Sequence, residues 1–207
     1  MIRSTLALSA AFALLVAVPA GAGEAVATKS LTVQKAGVRS GKAGEAFLNV
    51  EGKTNGEDGK YASFGVLEFP AKDVVGDDKP AGLDLTLTQS VARFSVDGPL
   101  KFYLATADLD AKGLKFDPSS TDGLGGQAPS KRPLGSGSFK KAETGKADIF
   151  ALTLDDEARA FLKERAAKGG TIAVLVVPDN DTVAATYFGA GADEAARKPK
   201  LKARTAP

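Results

Sequence analysis

Leu83, Leu85 and Leu87 alternate with Asp84, Thr86 and Thr88, the period of a strand with one buried face. The same alternation recurs at Leu100, Phe102 and Leu104 against Lys101 and Tyr103, and at Ala46, Leu48 and Val50 against Glu45, Asn49 and Glu51. Two further stretches, Phe64 to Phe69 and Ile172 to Val177, are apolar on both faces. They read as central strands covered from both sides. Phe150 to Leu154 and Val183 to Phe188 predict two more strands. Turn-formers separate these runs: Asn55-Gly56 with Asp58-Gly59, Asp97-Gly98, and Pro178-Asp179-Asn180-Asp181, the last expected to close a hairpin.

One segment keeps a different period. From Asp155 to Lys168, Ala158, Phe161, Leu162 and Ala166 fall on one face of a helix. Thr153 and Asp156 are the expected capping pair, Gly169 the expected stop, and Glu164 with Lys168 an i,i+4 pair. One helix among seven or more strands predicts an all-β, jelly-roll-like antiparallel β-sandwich with one covering α-helix. From Asp117 to Ser138 the pattern gives way to Gly, Pro and Ser, which predicts a long loop, either functional or disordered. The basic run Arg197 to Arg204, with Leu201 and Ala203 interleaved, reads as an edge strand guarded by lysines.

The N-terminus departs from all of this. One charge at Arg3, an apolar run from Leu6 to Val18 and the small-x-small exit Ala20-Gly21-Ala22 have the three parts of a secretory signal. The apolar run is too short for a comfortable membrane span. Residues 1–22 are therefore expected to be a signal peptide and 23–207 one β-sandwich domain, secreted or periplasmic, with no membrane association after signal removal. No cysteine follows the exit, so a lipid anchor there is not expected.

Composition narrows the chemistry. The chain has no histidine and no cysteine, which excludes Ser-His-Asp and Cys-His hydrolysis, histidine-ligated metals and thiol redox. Its 27 basic and 25 acidic residues nearly balance, so no nucleic-acid partner is expected. What remains is carboxylate chemistry, oxygen-ligated calcium, or binding without catalysis.

Candidate sites follow from that remainder, each with a structural alternative. Asp108 and Asp110, just past a strand, are the candidate calcium ligands; Asp179 with Asp181, and Asp77-Asp78, are further acidic spots. Aspartate in a turn also bonds its own backbone. Ser138-Phe139-Lys140-Lys141 matches S-x-x-K, but that serine should open a helix and here adjoins a Gly/Ser loop. Glu68 is an acid on an otherwise apolar strand, and paired carboxylates suffice for glycoside hydrolysis. Tyr103 and Tyr187 are the candidate ligand-binding rings, with sheet packing the alternative.

Several of these stretches resemble the DNRLRE-type secreted domains, which are related to carbohydrate-binding modules and disaggregatase-associated domains. Phe64-Gly65-Val66-Leu67-Glu68-Phe69 is similar to that family's "LLRFDL" strand, and Leu83 to Gln89 followed by Gly98 to Leu104 to the strands that come next. Ala185 to Gly189 followed by Arg197 to Leu201 resembles its closing strands. Asp122 to Ser138 stands where the family carries a Trp-bearing segment, and Gly191 to Ala196 where it carries an Arg-Glu pair. The resemblance implies an exported, non-catalytic jelly roll recognising polysaccharide or cell-envelope material. A histidine-free glycan hydrolase and a purely architectural surface protein are the alternatives.

Overall fold

The computed structural model describes residues 23–75, 80–110, 112–128 and 130–204. The expected signal peptide and Asp77-Asp78 lie outside them. Two antiparallel sheets face each other. The smaller is built from β1 (Glu24–Val26), β12 (Lys200–Arg204), β6 (Gly82–Thr88) and β9 (Ala147–Thr153), in that spatial order. The larger runs β11 (Ala184–Phe188), β4 (Phe47–Glu51), β5 (Ser63–Pro70), β10 (Thr171–Pro178), β7 (Gly98–Ala105), β8 (Lys131–Phe139). In it β2 (Lys29–Gln34) also pairs with β5, and β3 (Gly37–Val38) with β2. The molecule is an all-β sandwich.

The alternating strands bury the faces that their pattern assigns. Leu83, Leu85 and Leu87 of β6, Phe150 and Leu152 of β9, and Leu201 and Ala203 of β12 meet Leu67, Phe69, Phe102, Val174 and Val176 from the larger sheet. At about 25 cal/mol per Å² of apolar surface removed from water, this layer is the main source of stability in a chain without disulfides.

The doubly apolar strands have a second core to explain them. Phe64, Val66, Leu175 and Val177 point away from the sandwich and are covered by Leu114, Phe116, Leu124 and Ala128. The connection after β7 is thus a lid on the outer face of the larger sheet. It is tied down where the Phe116 N–H donates to the Gln34 carbonyl at 3.0 Å. A Cβ at Gly123 (φ +72) would collide with the Phe116 ring, so this turn needs glycine.

The helices close one end of the sandwich. α1 (Lys42–Ala46) leads into β4; α2 (Ala71–Val75) and α3 (Asp156–Ala167) both sit where the chain crosses between the sheets. Ala158 and Leu162 of α3 are buried, and Phe161 and Ala166 pack against the same core. The α3 cap is Asp155, whose carboxylate accepts the Ala158 N–H at 2.7 Å, and not the expected Thr153/Asp156 pair. Thr153 belongs to β9, and Asp156 pairs with Arg159 instead. Gly169, at φ +63, ends the helix as expected.

Three further expectations are corrected. The Gly/Ser/Pro stretch is a loop only in its first part: residues 131–139 form β8, paired to β7 along its length with a bulge at Phe102/Tyr103. Its register is fixed by β7 and not by its own composition. β12 is not an edge strand, because β1 and β6 flank it on both sides. The turn at 178–181 does not close a hairpin, since β10 pairs with β5 and β7 while β11 pairs with β4.

Candidate functional site

Of the residues expected from sequence to form sites, Glu68 and Asp108 share a small cleft of about 210 Å³ with Phe161 and Arg165, and the others lie apart. Tyr187 is 0% exposed, with its ring edge-on to Phe139 and its hydroxyl donating to Asp148 at 3.3 Å. Burial and the neighbouring Asp148 push its hydroxyl well above the usual tyrosine range. It offers no ring face to solvent. Tyr103 is half-buried beside the outer-face core, and the Lys131 ammonium stands 5.5 Å from its ring centre. The two rings lie on opposite sides of the larger sheet and do not form one platform.

Asp108 is exposed and takes the Arg165 guanidinium at 2.7 Å; Asp110 accepts the Lys112 N–H at 3.1 Å. Among the described residues, no group of three or more acids is placed to hold a metal ion. Asp179 pairs with Lys101 at 2.5 Å, and Glu68 with Lys29 at 3.1 Å. Asp108, Asp110, Asp179 and Glu68 thus each have a cation or backbone partner. Ser138 lies on β8 opposite Pro99, far from any helix start.

A cleft of about 580 Å³ lies instead on the outward face of the β4–β11 ribbon. β4 meets β5 in the ladder at one residue pair, Glu51 with Ser63, and is otherwise tied to the sheet by side chains: the Thr32 hydroxyl of β2 accepts the Asn49 N–H at 2.9 Å, and the Ser63 hydroxyl donates to the Asn49 carbonyl at 3.2 Å. Leu48 and Val50 turn into the core, which forces Phe47, Asn49 and Glu51 outward to form the floor, joined by Thr186 of β11. Gln34 and Arg39, at and beyond the β2–β3 turn, form one wall, and Asn55, Gly56 and Tyr61 another.

The third wall is the segment 90–94. Gln89 and Val96 pair with Tyr187 and Ala184 at β11, and the Thr186 hydroxyl donates to the Val91 carbonyl at 3.1 Å. These contacts pin a short arch that raises Phe94, 61% exposed, above the floor. Tyr61, 47% exposed, belongs to the same lining. A Cβ at Gly56, where φ is +77, would run into the Tyr61 ring, so that glycine sets the position of the ring.

The polar groups of the cleft are unevenly satisfied. Asn49 donates to the Glu51 carboxylate at 3.3 Å, and Asn55 to the Val183 carbonyl at 2.8 Å. Burial pushes the Glu51 carboxyl up to about 7, against the opposing pull of Asn49 and the Arg39 charge. Ser90 is 2% exposed and its hydroxyl has no hydrogen-bond partner among the described residues. A buried unsatisfied hydroxyl costs about 1–3 kcal/mol, which a ligand atom would offset. Among the described residues Glu51 is the only carboxylate in the lining.

Sequence reasoning passed over this cleft because its residues come from five separate segments. Asn49 and Glu51 did show as the polar half of a strand, and that outward face was the one available signal. Against known proteins the chain finds no matching family model and no significantly similar curated protein.

Proposed function

We propose that the protein is an exported, non-catalytic binding module that recognises polysaccharide or cell-envelope glycan through the β4–β11 cleft. The observation that carries this reading is the lining: two exposed rings, Tyr61 and Phe94, line one cleft together with side-chain amides and an unpartnered buried hydroxyl. Flat apolar rings stack on sugar faces, while amides and hydroxyls fix orientation through hydrogen bonds. The resemblance to DNRLRE-type domains, with its jelly-roll kinship, adds to the reading, and the leader-like N-terminus supports export.

Glycoside hydrolysis needs two carboxyl groups about 5 to 10 Å apart across one cleft. Among the described residues Glu51 has no second acid beside it in the lining; Glu68 and Asp108 share the smaller cleft, but each is paired with a cation, Lys29 and Arg165, which favours binding over hydrolysis. A glycan array probed with the protein and with Tyr61→Ala and Phe94→Ala tests the reading. Retention of one glycan class, weakened at least about tenfold by either substitution, is expected. Retention of nothing would sink the glycan reading and leave an architectural role.

A further inference from the structure

Resting on that reading of the cleft, we propose that its ligand is an acidic, carboxylated sugar whose carboxylate is held by Arg39 and one of whose hydroxyls pairs with Ser90. The charge around the opening points there. Arg39 lines the cleft, and its guanidinium has no ion-pair or hydrogen-bond partner among the described residues. A planar guanidinium takes a carboxylate through two parallel hydrogen bonds, so a lone Arg beside stacking rings fits a uronate better than a neutral sugar.

Two more cations, outside the lining, stand against its two exposed rings. The Lys60 ammonium sits 4.9 Å from the Tyr61 ring centre and the Arg93 guanidinium 4.6 Å from that of Phe94. Each ring is thus covered on one face by its own cation, which disfavours a cationic guest and places positive charge beside an anionic one. Neither cation has a salt-bridge partner among the described residues, whereas Arg197 over Phe188 is already paired with Glu194.

The one acid in the lining refines the expectation. Glu51 faces Asn49 and Arg39; Glu57 and Asp58 belong to the neighbouring turn and are outside the lining. A buried carboxyl that titrates near neutrality is uncharged on the acid side and repels an anionic guest on the alkaline side. Affinity for the acidic sugar therefore rises as pH falls from 8 to 6, by roughly three- to tenfold for one nearby charge.

The test is calorimetric titration of the full chain with a short oligogalacturonate and with the same oligomer methyl-esterified, at pH 6 and pH 8. The acid is expected to bind at least roughly tenfold tighter than the ester. Arg39→Gln should abolish that difference, Arg39→Lys should restore part of it, and Ser90→Ala should weaken both ligands. Glu51→Gln should keep the binding and flatten its pH dependence, with unchanged melting curves for the Arg39 variants as the folding control. Equal binding of acid and ester, both lost on Phe94→Ala, would overturn the acidic-ligand proposal and leave the cleft standing. Binding of neither would overturn the acidic-ligand proposal alone, and binding indifferent to both Phe94→Ala and Tyr61→Ala would overturn the cleft reading with it.

Discussion

Glu51 links the cleft to stability. Its folded-state carboxyl titrates near 7, above the ordinary 4.5, because burial disfavours the charged form. The folded protein then holds a proton that the unfolded chain has released, so this group costs stability as pH rises from about 4.5 to about 7. Asp148, raised by burial beside Gln89 and Tyr187, acts in the same direction. Asp155 has the opposite sign. The Ala158 N–H and then Arg132 hold it below the usual range, so its contribution is full near neutrality and is lost in acid. Glu51→Gln should therefore stabilise the protein by about 1 to 2 kcal/mol at pH 8, after discounting for partial solvent exposure, and by little at pH 5. Thermal melts at the two pH values check this; an equal effect at both would contradict it. Gly56→Ala should cost about 1 to 2 kcal/mol and weaken glycan binding as well, since both the positive φ and the Tyr61 ring oppose a side chain.

At the scale of elements, the lid over the larger sheet explains two strands that would otherwise be exposed. Phe116→Ala should destabilise by about 3 kcal/mol in urea unfolding, as expected for a buried ring lost from a core. If the 112–128 lid carried no packing role, the substitution would be silent. Asp155→Ala removes the α3 cap and the Arg132 pair together and should lower the thermal unfolding midpoint, read in the same thermal melts. The strands at 83–87, 100–104 and 64–69, and the helix at 155–168, were legible because each carries its own period. β8 was not: Lys131-Arg132-Pro133-Leu134-Gly135-Ser136-Gly137-Ser138-Phe139 has the composition of a loop, and only the β7 ladder makes it a strand. The positions of β11 and β12 were misread for a related reason. Pairing partners far apart in sequence leave no local trace, so β12 looked like an edge and β11 like half of a hairpin.

The whole molecule is a histidine-free, cysteine-free sandwich with one end closed by α2 and α3. Among the described residues, no helix is long and apolar enough to cross a membrane. Of the residues expected from sequence to form sites, Glu68, Asp108 and Asp179 are in ion pairs, Asp110 accepts a backbone N–H, and Tyr187 is in the core. The cleft gathers Gln34, Asn49, Glu51 and Thr186 from three strands and Arg39 and Ser90 from connections between strands, and such convergence is a property of the assembled sheets. The most direct measurement is a backbone amide NMR titration of the protein with the glycan it retains. Shift changes confined to residues around Arg39, Asn49, Asn55 and Ser90 are predicted. Changes centred on Tyr103 or on Asp108 and Asp110, with the cleft silent, would contradict the account.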